Sequence, residues 1–129
     1  MEITKKDIIY PKECYKIIGI LFDVYNELGS NYQEKYYQRA ITIAFKKAGL
    51  KFKQQVFIPL KYKDSKIGNY FLDFLIEDII VLEIKKGDYF SRLNIQQVLA
   101  YLKASNLKLG ILANFTTSGI KFKRIVNIN

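Results

Sequence analysis

The chain has 129 residues, half of them hydrophobic and 15% aromatic, which suits one domain with one substantial core and excludes disorder as a starting point. A single cysteine and no histidine exclude an internal disulfide, His-based triads, Cys–His proteases, zinc fingers and the usual zinc hydrolases, so any metal must be held mainly by oxygen, which favours magnesium, manganese or calcium. The net charge of +9, from 21 basic and 12 acidic residues, attracts polyanions, of which nucleic acid is the commonest.

Residues 1–10 form an expected N-terminal arm, too polar and with too short an apolar run for a signal peptide. No apolar run reaches the roughly 18 residues of a membrane span, so a cytoplasmic protein without membrane contact is the expectation. One domain is expected over 11–129. Pro11 suits an early helical position. Cys14, Ile17, Ile18, Leu21, Val24, Tyr25 and Leu28 then follow at helical spacing up to Gly29. Cys14 reads there as a small buried hydrophobe. A second helix is predicted over 32–48, with Tyr37, Ile41, Ala44, Phe45 and Ala48 as its apolar stripe and Gly49 beyond it.

From Lys51 the period changes to two. Phe52, Val56, Ile58, Leu60 and Tyr62 define a strand whose alternation breaks at Gln54, and Pro59 marks it as an edge strand or a bulge. A turn over 63–68 leads to a second strand over 68–76. Glu77 and Asp78 make a short turn into a third strand over 79–85. Ser91 is a candidate N-cap for a helix over 92–104. Two further strands, "LKLGILANF" and "IKFKRIVNI", complete an ααβββαββ order: an α/β fold with helices covering a mixed sheet.

The charges in "YFLDFLIEDIIVLEIKKG" pose a chemical question, because charged groups inside apolar strands are costly unless paired or bound to metal. Strand alternation puts Glu83 and Lys85 on one face with Val81, while Ile80, Leu82 and Ile84 point the other way. The short turn brings Asp73 level with residues 82–84, within reach of Glu83. Two readings follow. One is a strand-end ion pair of Lys85 with an acid. The other is a divalent-cation site with Asp73 and Glu83 as hard oxygen ligands, the Ile84 carbonyl as a further one, and Lys85 beside it to stabilise phosphate charge or position water. An acid-x-Lys triplet alone carries little weight: roughly 1.7 are expected by chance, and Asp64-Ser65-Lys66 is a second, solvated one.

Glu34 falls on the inward stripe of the second helix, either as a complement to the helix dipole or as a third acid aimed at the same metal. Asn94, Gln97 and Tyr101 share one face of the third helix, either as an exposed polar face or, for Gln97 and Tyr101, as groups that look towards the acids and bind water or phosphate.

Glu34, Asp73, Glu83-Ile84-Lys85 and Gln97, in that order, together with "YKIIGILFDVYNELG", "QEKYYQRA", "IVLEIKK" and "QQVLAYLKASNLKLGILANF", resemble the GxxExxxR proteins of the PD-(D/E)xK nuclease superfamily over about residues 15–126. The resemblance implies a restriction-endonuclease-like αβββαβ core preceded by an extra N-terminal helix. It also implies divalent-metal-dependent hydrolysis of phosphodiester bonds, with Mg²⁺, or Mn²⁺ in its place. By position, Asp73 and Glu83 become metal ligands, Lys85 the catalytic lysine, Glu34 the helical acid and Gln97 the helical glutamine. Asn31 stands where the family has its glycine, and Gln38 where it has its arginine, with Arg39 one residue later. Nucleic acid is the expected partner, DNA ahead of RNA, its backbone bound by Lys86, Arg92, Tyr101 and Lys103, with a homodimer or a protein partner supplying any targeting. The alternatives are a catalytically silent nucleic-acid-binding module and a subunit that serves a protein partner.

Overall fold

The computed structural model describes residues 9–128. The expected arm therefore lies outside the described residues except for Ile9 and Tyr10, which pack against the core. Helix α1, Pro11–Leu28, has its proline at the first helical position and buries Cys14, Ile17, Leu21 and Val24. It ends at Gly29, whose φ of +75° with ψ of −161° is a combination open essentially to glycine alone. Asn31 then takes φ +77°, a conformation asparagine tolerates better than most residues. Helix α2, Glu34–Lys47, buries Tyr37, Ile41 and Phe45, with Glu34 in its first turn and Lys46 and Lys47 in its last, as the helix dipole favours.

Strands β1, Phe52–Tyr62, and β2, Ser65–Ile76, form a hairpin longer than the sequence predicts. The expected turn over 63–68 shrinks to Lys63 and Asp64, both at positive φ, and residues 65–68 join the strand. Two left-handed residues in succession give a tight turn whose twist matches that of the flanking strands. The β1–β2 register shifts between Leu60 and Lys61, next to Pro59, and β1 is an edge strand. Strand β3, Ile80–Lys86, begins after a turn in which Ile79 donates its N–H to the Ile76 carbonyl and Glu77 and Asp78 both take positive φ. Helix α3, Arg92–Ser105, is capped by the Ser91 hydroxyl, which accepts from the Asn94 N–H. Strands β4, Leu109–Thr116, and β5, Gly119–Val126, follow.

The sheet order is β1-β2-β3-β4-β5, with β3 and β4 parallel and every other pair antiparallel. The α3 crossover from β3 to β4 is what a parallel pair requires. This is a mixed sheet flanked by helices, α/β, with the α2-to-β4 portion as the expected αβββαβ core and α1 as the extra helix. One core lies under α1 and α2 and uses Phe74, Ile76, Ile80, Leu82 and Ile84. The other lies under α3 and uses Leu72, Val81, Val98, Leu102 and Leu112. Alternation along β3 thus sends Val81 and Leu82 into opposite cores, and Glu83 continues the α3 side. Among the described residues no helix is long and apolar enough to cross a membrane.

Candidate active site

The ladder between β2 and β3 pairs Ile76 with Ile80, Leu75 with Val81 and Phe74 with Leu82, and then stops. One residue further on, side chains replace backbone. The Asp73 N–H donates to Glu83 Oε1 at 2.8 Å, and the Ile84 N–H donates to Asp73 Oδ2 at 2.7 Å. The strand changes face at this point. Leu72 and Phe74 are two residues apart and should share a face, yet they pack into opposite cores. Across the hairpin, Gln55 takes φ +51°, and the β1–β2 register passes from Gln54–Phe74 to Val56–Leu72 without pairing Gln55 to Asp73. Asp73 therefore sits at a kink, which turns its carboxylate towards β3.

Glu83 is only 2% exposed. Burial pushes its carboxyl up to about 7, and the neighbouring Asp73 charge pushes in the same direction. Asp73 is also raised, chiefly by burial, against the opposing pull of the Ile84 N–H and the Lys85 charge. Each carboxylate accepts from a backbone N–H beside the other, so the two groups are neighbours whose charges oppose double ionisation. Two residues that were not among the expected site residues complete the surroundings. Gln38 Nε2 donates to Asp73 Oδ1 at 3.1 Å, and the Tyr70 hydroxyl donates to Glu83 Oε2 at 3.4 Å. Burial and the Glu83 charge push the Tyr70 phenol well above its usual range.

Lys85 leaves the sheet beside the pair. Its ammonium lies 4.0 Å from Glu34 Oε1, at the first residue of α2. Among the described residues no three acidic, histidine or cysteine side chains converge on one point; Glu34 faces Lys85, and its charge also acts on Asp73. Ile84 is buried next to the pair. Gln97 lies across a cleft of about 330 Å³ between α3 and the β1–β2 hairpin, with Tyr70 on the opposite wall. Among the described residues no hydrogen bond joins Gln97 to either acid. Tyr101 is 7% exposed and belongs to the α3 core, where it forms a wall of the same cleft rather than an exposed polar face. Lys86, Arg92 and Lys103 are exposed. Lys86 borders a small pocket of about 110 Å³ with Asn31 and Gly87. Arg92 and Lys103 lie near opposite ends of α3, so they do not form one compact patch. Behind the site, Asn114 of β4 donates to the Gly87 and Tyr89 carbonyls and ties down the loop that follows β3.

Two adjacent carboxylates on a kinked strand and its neighbour, with a lysine two residues beyond the second acid, are the motif after which one nuclease superfamily is named. The model of the PD-(D/E)XK nuclease superfamily matches residues 11–125. This chain belongs to the PD-(D/E)XK nuclease superfamily. No curated protein matches it. Among solved structures it is similar to one titled "Crystal structure of SSO0001", at 17% identity over 94% of this chain and 79% of that one, with a TM-score of 0.46. Proteins of the PD-(D/E)XK superfamily are generally nucleases that use divalent metals such as Mg²⁺, and the donor set here fits such an ion. Its ligand atoms would be hard carboxylate oxygens, and a cation would offset the burial and like charge that raise the Glu83 carboxyl.

Gln38 lay within view in the sequence as a departure from the family's arginine. It is one turn along α2 from Glu34, and its contact with Asp73 shows that this position faces the acids. Tyr70 gave no signal beyond its place three residues before Asp73.

Proposed function

We propose that this protein is a divalent-metal-dependent nuclease of the GxxExxxR type that hydrolyses phosphodiester bonds in DNA. The observation that carries the reading is the Asp73–Glu83 pair, a half-buried and a buried carboxylate set side by side at the point where the β2–β3 ladder stops, with the residue two beyond Glu83, Lys85, facing Glu34. Asp73, Glu83 and the Ile84 carbonyl would hold Mg²⁺ or Mn²⁺, with Glu34 at the outer edge of the site. When bound, the cation supplies Lewis acidity to the phosphoryl group and neutralises charge on it.

The chain's own groups do the rest. Lys85 stabilises the negative charge that grows on the phosphoryl oxygens and holds the attacking water. Glu34 restrains the flexible Lys85 side chain from the start of α2. Gln38 and the Ile84 N–H fix the Asp73 carboxylate from two sides, and Tyr70 restrains Glu83. Gln97 positions water or phosphate from across the cleft. Lys86, Arg92 and Lys103 bind the backbone without reading bases.

The test is incubation with single- and double-stranded DNA and RNA, with and without Mg²⁺ or Mn²⁺. Cleavage is expected only with metal, and Asp73→Asn and Glu83→Gln should each reduce it by at least a hundredfold while keeping the circular-dichroism spectrum. Cleavage at the wild-type rate by either variant overturns the mechanism. Salt-sensitive binding with no cleavage in either metal leaves a silent binding module.

A further inference from the structure

The cleft beside the acids is built differently from a surface that only follows phosphates. Its hairpin wall is apolar, with Ile58, Pro59 and Leu60, and Tyr70 continues that wall to the Glu83 carboxylate. Its helix wall carries Gln96 and Gln97 and, behind them, the small Ala100 and Ala104 and the aromatic Tyr101. Lys61 stands at the rim and is exposed. An apolar trough with two side-chain amides matches the chemistry of a nucleobase, which has an apolar face and an edge of donors and acceptors. Each glutamine amide offers both kinds of group, and the lysine suits the attached phosphate. A volume of about 330 Å³ lies at the low end for small-molecule pockets and admits one nucleotide unit rather than a helix.

We infer that this cleft is a nucleobase pocket, so that the substrate is single-stranded nucleic acid with one unstacked base seated beside the scissile phosphate. The inference rests on the nuclease reading for the position of the scissile phosphate and adds the substrate class. A paired base enters such a pocket only after it is unstacked and unpaired, whereas a single strand offers its bases with little such cost. The two amides can meet any of the four bases, so the pocket selects strand state rather than sequence.

The experiment is fluorescence-anisotropy titration in EDTA, where no metal-dependent cleavage occurs, at one fixed salt concentration. The probes are a labelled mixed-sequence single strand, the same strand with one abasic position, and its duplex. The wild-type protein should bind the intact single strand about tenfold more tightly than the duplex, and the abasic strand more weakly than the intact one. Ala100→Phe fills the cleft from an exposed helix position and should abolish the single-strand preference while leaving duplex binding unchanged. Ala104→Phe, also exposed, gives the same test from the next turn, and Lys103→Ala should weaken both substrates alike. Equal affinity for single strand and duplex in the wild type, or an unchanged single-strand preference in both filled variants, overturns the inference. Cleavage in Mg²⁺ is scored separately. If the filled variants lose the preference and neither they nor the wild type cleave, the pocket stands and the nuclease reading falls. If duplex is cleaved and the filled variants bind like wild type, the reverse holds.

Discussion

At the scale of single residues, the decisive fact is that Asp73 and Glu83 are each other's neighbours, the first half-buried and the second buried. Both carboxyls are raised, Glu83 to about 7 against an ordinary 4.5. The sign of the stability effect follows. Below about pH 4.5 the folded and unfolded forms both carry the Glu83 proton, and the pair is at its most favourable. As pH rises towards 7 the unfolded chain releases that proton while the folded chain keeps it, so the metal-free protein loses stability through this window. The loss is on the order of 2–3 kcal/mol by the usual conversion of a pKa difference. Glu83→Gln removes the titrating group and leaves an amide oxygen to accept from the Asp73 N–H. The variant should show a flatter stability curve between pH 4.5 and 7 and melt higher than the wild type at pH 7.5 without metal, as urea titrations across pH will show. A parallel pH slope in the two proteins would contradict a raised Glu83 carboxyl.

At the scale of elements, helices and strands were legible because the apolar period changes cleanly from 3.6 to 2 at Lys51, and because Pro11, Gly29 and Ser91 sit where helix ends need them. The closeness of Asp73 and Glu83 was legible from the two-residue Glu77-Asp78 turn. The rest depended on packing that no local pattern encodes. The hairpin is longer than its sequence suggests because Lys63 and Asp64 both adopt left-handed backbone, although glycine is absent from the turn. The kink at Asp73 arises between two strands, and Gln38 meets Asp73 only because α2 lies across β2, 35 residues away in sequence. The fit of α3 on the sheet is similarly close. A methyl group added to Gly110 of β4 would lie 2.5 Å from Val98 Cγ1, and Val98 is fully buried with little rotamer freedom. Gly110→Ala should therefore destabilise the protein by about 1–3 kcal/mol. The Val98→Ala, Gly110→Ala double variant should be more stable than the sum of the single changes allows, because the added methyl occupies the space vacated. Thermal melts of the four proteins form the cycle, and simple additivity would show that α3 shifts freely on the sheet.

At the scale of the whole molecule, a chain of net charge +9 places a pair of acids where, on the proposed reading, a phosphodiester must sit. The global field draws a polyanion in, and the local field at Asp73 and Glu83 opposes its final approach until a cation reverses the local sign. If Lys86, Arg92 and Lys103 each neutralise one phosphate, these three together should contribute about −2 to the slope of the logarithm of single-strand affinity against the logarithm of salt, and each alanine variant should make that slope shallower by about 0.7. The acids modulate the intercept rather than the slope, because they release no counterion from the nucleic acid. Glu83→Gln should thus bind a single strand more tightly than the wild type in EDTA at pH 8, above the raised Glu83 carboxyl, where both wild-type acids are ionised. The difference should close at pH 6, where a proton on Glu83 leaves the wild-type pair the same single negative charge as the variant, and should close again when a non-cleaving divalent ion such as Ca²⁺ is added at pH 8. Anisotropy titrations at the two pH values, with and without Ca²⁺, separate this account from a purely structural role for the acids, under which neither pH nor the ion would change the ratio of the two affinities.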